Sequence, residues 1–347
     1  MTLLLHCGYH KTASSYLQTC FARNRQLLNQ HGIHYPNAPR QKQAALGIPT
    51  AGNGAELYDA LAMGDGNKTR RYLRRYLAEA ENLGHHSLLL STESFFVTFA
   101  DPAARSLLLQ AAHEEGVRGI RALLFFRDPV DHAISVYCHR AASGKVPPFA
   151  HWLEERFATP KRMDSFADNF QLGGVDWFLR RFQPRIDSIS QVAFSDWLRI
   201  PGALDLSSVR ATVNVSISIA ESELLREFHA QFPGCARYLS HRLKMLPREL
   251  KADDSQLRRL YERDAAAYFQ RHRAVIEKIN RLLPPDQPLE LGPVAPGEEN
   301  APPNTFSNAQ LVACANGLLD FRESRTLGGR FKRFMHRSCR DLGRLFD

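Results

Sequence analysis

Two short stretches carry residues whose types and spacing suit the grip of an anion. The first is Gly8-Tyr9-His10-Lys11-Thr12-Ala13-Ser14-Ser15. It follows an apolar run at residues 3–7. It precedes a segment in which Tyr16, Leu17, Cys20, Phe21, Leu27 and Leu28 recur at three- and four-residue spacing, which predicts a strand, a loop and a helix in that order. Backbone N–H groups at a helix N-terminus, aided by the helix dipole, form an anion site. Gly8 lets the chain turn closely, Lys11 adds a point charge, and Thr12, Ser14 and Ser15 add hydroxyl donors. The loop is not the GxxxxGK[ST] of triphosphate binders, because Lys11 has no glycine before it. Taken alone it also fits a capped helix with an exposed lysine.

The second stretch runs from Arg127-Asp128-Pro129 to Ser135-Val136-Tyr137. It follows residues 121–126, Arg-Ala-Leu-Leu-Phe-Phe, whose apolar run reads as a strand, and Pro129 suits the first turn of a helix. Arg127 therefore stands at a strand end, and Ser135 lies about two helical turns beyond it. A guanidinium fork can hold a phosphate in two hydrogen bonds, and a serine hydroxyl can donate to the same group. An Arg and a Ser at this spacing say little by themselves.

The elements that must position these stretches follow from periodicity. Strands are predicted at residues 3–7, 87–91 and 121–126, with a further candidate at 191–194. The helix from Ser14 is expected to end at Gly32, before Pro36. Residues 37–54 and 92–101 read as loops. Helices are predicted at 55–63, 68–83 and 102–115, from 129 onward, through much of 222–283, and at 308–321. Apolar strands alternating with helices imply an α/β fold of three layers, a central parallel sheet flanked by helices. In such sheets ligands bind where loops leave the carboxyl ends of strands. Both stretches above lie at such ends. The expected organisation is a core at 1–283, a Pro-rich connector at 284–306 and a basic helical segment at 307–347.

Composition narrows the class. The chain has 347 residues, 44% hydrophobic and 23% charged, which is ordinary globular usage. No run approaches the roughly 20 apolar residues that span a bilayer, and the opening residues lack the basic stretch of a secretory leader. The cysteines Cys7, Cys20, Cys138, Cys235, Cys314 and Cys339 form no CxxC pair and share no metal-ligand spacing with histidines, so no metal site is expected. Reduced thiols in a cytoplasmic protein are the expectation. The formal net charge of +9 suits an anionic ligand, nucleic acid or an anionic membrane, without choosing among them.

Together the two stretches resemble the signature of the 3′-phosphoadenosine-5′-phosphosulfate (PAPS)-dependent sulfotransferase family. Residues 7–18, Cys-Gly-Tyr-His-Lys-Thr-Ala-Ser-Ser-Tyr-Leu-Gln, are similar to that family's 5′-phosphosulfate loop, often written His-Lys-Thr-Gly-Thr-Thr followed by Leu-Gln. The departures are Ala13 for the usual glycine and Ser14-Ser15 for Thr-Thr. His31-Gly32-Ile33-His34-Tyr35-Pro36 is similar to the end of the first helix in bacterial members. Arg127 through Tyr137 resembles the 3′-phosphate motif, and Asn214-Val215-Ser216 a recurrent Asn-x-Ser segment. The resemblance covers about the first 230 residues. It implies a P-loop-like sulfotransferase fold and transfer of a sulfuryl group from PAPS to an acceptor hydroxyl or amine, leaving 3′-phosphoadenosine 5′-phosphate (PAP). By the same resemblance Gly8, Lys11, Thr12, Ala13, Ser14 and Ser15 would hold the 5′-phosphosulfate, with Lys11 steadying the departing phosphate oxygen. Arg127 and Ser135 would hold the 3′-phosphate. The reaction would need no metal.

The acceptor must also lose a proton. Glu93, directly after the strand at 87–91, and His10 are the two candidates for the base. A carbohydrate or natural-product alcohol is the acceptor the family suggests. Two other classes compete. An ATP-dependent small-molecule kinase would use the same strand–loop–helix, but the GK[ST] sequence is missing. A nucleic-acid-binding protein would use the charge, but no helix-turn-helix, zinc-finger or RRM signature supports it. The segment after Phe321 interleaves Arg325, Arg330, Lys332, Arg333, Arg337, Arg340 and Arg344 with Leu327, Phe331, Phe334, Leu342 and Phe346. Such a pattern suits either peripheral contact with an anionic membrane or cover for a core or a second subunit.

Overall fold

Five apolar or mixed segments pair into one sheet in this computed structural model, which describes residues 1–37, 45, 50–184, 186–201, 217–292 and 306–326. The strands are β1 (Thr2–Cys7), β2 (Ile33–His34), β3 (Ser87–Thr92), β4 (Gly119–Phe126) and β5 (Asp176–Arg181). Their order is β2-β3-β1-β4-β5, and every pair is parallel. The helices between them are α1 (Ser14–Arg23), α2 (Arg25–Gln30), α3 (Ala55–Ala62), α4 (Gly66–Asn82), α5 (Phe95–Ala100), α6 (Pro102–Glu114), α7 (Pro129–Ala141), α8 (Phe149–Glu155), α9 (Thr159–Phe170) and α10 (Ile186–Gln191). After these come α11 (Ile219–Gln231), α12 (Ala236–Lys244), α13 (Ser255–Arg271), α14 (Arg273–Asn280) and α15 (Asn308–Arg325). The fold is therefore α/β, with a parallel central sheet flanked by helices.

The described residues divide into two units. The first takes residues 1–132, 157–201 and 266–292, and the second takes 133–156, 217–265 and 306–326. The first unit holds the sheet. Leu4, Leu89, Leu123 and Phe125 face one side and pack with Tyr16, Leu17 and Phe21 of α1 and with Phe194 and Trp197. On the other side the rings of Phe96, Phe126 and Phe166 meet at centroid distances of 5.5–6.1 Å. Burial on both faces explains why the middles of β1 and β3, Leu3–Leu5 and Leu88–Leu90, are continuous apolar runs rather than alternating. β1 sits between β3 and β4, so the chain leaving β3 must cross β1 to reach β4. That reversal is the switch point at which open α/β sheets form their ligand crevice.

Several predicted elements differ from the observed ones. The helix from Ser14 does not run unbroken to Gly32. It divides at Asn24, whose backbone N–H and side-chain amide both donate to the carbonyl of Cys20, at 3.0 and 2.9 Å. A side chain competing for a helix carbonyl favours a break of this kind. The loop expected at 92–101 contains α5, whose Phe95, Phe96 and Phe99 are buried. The strand expected at 191–194 is helical, α10 passing into a π-helical stretch at Val192–Trp197. A short buried apolar run has the same composition in a helix as in a strand.

In the second unit, α11 starts with a capping box between Ser218 and Glu221. The buried Glu221 carboxylate also accepts from Lys251 Nζ and Gln310 Nε2, each at 2.8 Å. A Cβ built on Gly317 of α15 would lie 2.9 Å from the Leu239 backbone of α12, so the absence of a side chain lets these helices touch. Among the described residues no helix is long and apolar enough to cross a membrane. Asn214-Val215-Ser216, residues 293–305 of the expected connector and residues 327–347 of the basic segment lie outside the described residues.

Candidate functional site

Three adjacent strands, β3, β1 and β4, end side by side, and each releases a residue singled out above. Cys7 is level with Thr92 on one side and with Leu124 on the other. The Gly8 N–H donates to the Thr92 carbonyl at 3.0 Å, which carries the β1/β3 ladder one residue beyond the strand. A Cβ on Gly8 would lie 2.5 Å from Ser14 Oγ and 2.6 Å from the Cα of Glu93. Only glycine allows the loop, the helix start and the end of β3 to approach this closely.

The loop backbone is bent against its residue types. Lys11 has φ 66° and Ala13 has φ 60°, both left-handed and neither glycine. An L-residue there costs roughly 1–2 kcal/mol. Left-handed residues alternating along a short loop turn successive N–H groups toward one concavity, the geometry of backbone anion sites. Ala13 is also the cap residue of α1, and no side chain caps that end. The first-turn N–H groups of α1 are thus left to a ligand or solvent. Ser14 Oγ is buried and has no hydrogen-bond partner. Thr12 is buried, and its hydroxyl donates to the Tyr9 carbonyl at 2.5 Å, inside the loop. Ser15 is half-buried, and its carbonyl accepts from Thr19 Oγ1 at 2.9 Å.

Around this loop stand Arg127, Glu93 and His10. Arg127 Nη1 donates to the Lys11 carbonyl at 3.2 Å, and its guanidinium carbon lies 5.7 Å from the centre of the Phe182 ring. The two sequence stretches therefore meet through Arg127. Asp128 accepts from Arg181 Nη2 at 2.8 Å and from the Glu290 N–H at 3.0 Å. That fixes the turn into α7, where the backbone carbonyl of Asp128 accepts from the His132 N–H at 2.8 Å. His10 Nδ1 and Glu93 Oε2 are 3.3 Å apart, so the two candidate bases are neighbours. Ser135 lies further along α7, in the second unit.

Beneath the loop sits a support that the sequence reading did not identify. The Tyr9 ring stacks on His132 at 4.1 Å and 18°. It also meets Phe96 edge-on at 5.0 Å, and its hydroxyl donates to Met163 Sδ at 3.3 Å. His132 is held well below the usual imidazole range by burial first, and then by the positive charge of Arg127. Burial likewise pushes the Tyr9 phenol far up. A neutral, buried ring pair is thus the floor of the loop. The other missed positioning residue is Arg181. Arg180-Arg181 resembles an exposed basic pair, whereas the run Trp177-Phe178-Leu179 before it marks β5. Among the described residues no three His, Cys, Asp or Glu side chains converge as a metal cluster. Compared with protein-family models, curated proteins and solved structures, the chain matched none.

Proposed function

We propose that this protein is a PAPS-dependent sulfotransferase with a P-loop-like fold, moving a sulfuryl group to an acceptor hydroxyl or amine. The observation that carries the reading is the meeting of an uncapped, left-handed loop with Arg127 at the switch point of a parallel sheet. This brings backbone donors together with the braced guanidinium of Arg127, on a loop that also carries Lys11. In-line sulfuryl transfer, like phosphoryl transfer, depends on positioning and on stabilising charge on the departing oxygen. Lys11 and the first-turn N–H groups of α1 would supply that stabilisation. Arg127, carried by β4 and braced on the Lys11 carbonyl, would hold the 3′-phosphate. Ser135 joins it on the strength of the sequence motif. The acceptor proton would pass to the His10–Glu93 pair.

Ligand choice tests the reading. PAP without added metal should raise the melting temperature, since a ligand that binds only the folded state stabilises it by about 2.7 kcal/mol at a hundredfold excess over Kd. Stabilisation by ATP with Mg²⁺ but not by PAP would replace the sulfotransferase with a kinase.

A further inference from the structure

We infer that His10 and Glu93 act as a single dyad with divided roles, His10 taking the acceptor proton at Nε2 and Glu93 orienting the ring through Nδ1. The inference rests on the sulfotransferase reading. It starts from an arrangement that neither residue's sequence neighbourhood contains. His10 leaves β1 in the anion loop, and Glu93 leaves β3, yet their side chains meet at 3.3 Å between Nδ1 and Oε2.

The chemistry assigns the roles. An ionised carboxylate only accepts hydrogen bonds, so the ring nitrogen facing Glu93 must carry the proton. In the neutral ring this leaves the lone pair on Nε2. The carboxylate then also stabilises the imidazolium that forms when Nε2 takes a proton. In the reverse assignment, with Glu93 as base, Oε2 already faces the ring and the acceptor would have to be met by Oε1, with the imidazole outside the path of the proton. The two side chains are 38% and 40% exposed, so an acceptor can reach the pair from solvent. Placement agrees, because His10 directly precedes Lys11, the residue assigned to the leaving oxygen. As the acceptor oxygen forms its bond to sulfur, the bond from sulfur to the 5′-phosphate oxygen breaks. Its electron pair stays on that oxygen, and the acceptor proton moves to His10 Nε2. Glu93 touches neither reacting group and is a positioning residue.

Two measurements on the full chain test the dyad. The first reads the His10 ring by ¹⁵N NMR with PAP bound, the signal being assigned by its loss in His10→Ala. The neutral ring should be protonated at Nδ1 in the wild type and should lose that preference in Glu93→Ala. A wild-type ring protonated at Nε2 overturns the proposal whether or not any acceptor is turned over. The second follows PAP release from PAPS with 2-naphthol or water as acceptor. His10→Ala should lose about 10²-fold or more in kcat, with KM for PAPS within about threefold, and added imidazole should restore part of the rate. Glu93→Gln, whose amide oxygen still accepts from Nδ1–H, should retain more activity than Glu93→Ala. Near-wild-type turnover in His10→Ala, or imidazole failing to help it while Glu93→Gln is as dead as Glu93→Ala, would assign the base to Glu93. Failure of the underlying reading looks different. In that case PAP stabilises neither the wild type nor the His10 variant.

Discussion

Ala13 and Lys11 are left-handed residues without being glycines, and the loop holds them there against their local preference. Replacing Ala13 by glycine should remove the steric cost while loosening the unfolded chain, for a net gain of up to about 1 kcal/mol. Urea unfolding checks this. A loss instead would mean that the Ala13 methyl, which packs on the core below it, outweighs the strain. Under the proposed function, Lys11 and Arg127 should separate in kinetics. Lys11→Ala should lower kcat by about 10²–10³-fold with little change in KM for PAPS, because a group acting on the leaving oxygen is felt mainly in the transition state. Arg127→Ala should instead raise KM for PAPS about tenfold or more, from the loss of a charged hydrogen bond to phosphate. Near-normal kcat at saturating PAPS in the Lys11 variant would remove Lys11 from the mechanism.

At the scale of elements, the edge of the sheet shows how one side chain can stand in for a strand. β2 pairs with β3 only at Ile33↔Ser87 and His34↔Leu88. Beyond it, Asn53 takes over. Its Nδ2 donates to the Leu89 carbonyl at 3.0 Å, and its Oδ1 accepts from the Ser91 N–H at 2.7 Å. Gly54 N–H then donates to the Ser91 carbonyl at 3.1 Å. Asn53→Ala should therefore leave two buried backbone groups of β3 without partners and cost on the order of 2–3 kcal/mol, read as a lower urea midpoint. Glu93 follows β3 directly, so the same variant should weaken the His10–Glu93 pair. A stability unchanged within about 0.5 kcal/mol would show that solvent reaches this edge.

For the whole molecule, the buried imidazoles set a direction for acid stability. Burial lowers His6 to about 4, with the Glu93 charge opposing it, and holds His132 well below its usual range. In the unfolded chain both rings titrate near 6.5. Between pH 6.5 and 4 the unfolded state therefore binds protons that the folded state refuses, and stability falls as pH drops through that window. For His6 the loss amounts to roughly 3 kcal/mol at its acid end and stops growing once the folded ring also protonates. His6→Gln should flatten the fall in urea midpoint between pH 7 and pH 4.5. An unchanged slope would mean that the wild-type ring is already charged in the folded state.

The sequence alone determined what short-range chain geometry decides. An apolar run before Gly8 and a periodic segment from Ser14 were enough to place the loop at a strand end and a helix start. The run before Arg127 did the same for the second stretch. Residues far apart in sequence lay beyond that reach. That β3 and β4 flank β1 depends on which strands pair, and pairing is settled by the burial of both sheet faces at once. The same packing turned 191–194 into helix, since so short an apolar run carries no period of its own. It also recruited the apparently exposed Arg181 to hold Asp128, and it set Asn53 where a longer strand would have run. Glu93 and His10 were legible as separate candidates for one role. Their contact was not, because it joins the ends of two strands 83 positions apart, and only the folded sheet brings such ends together.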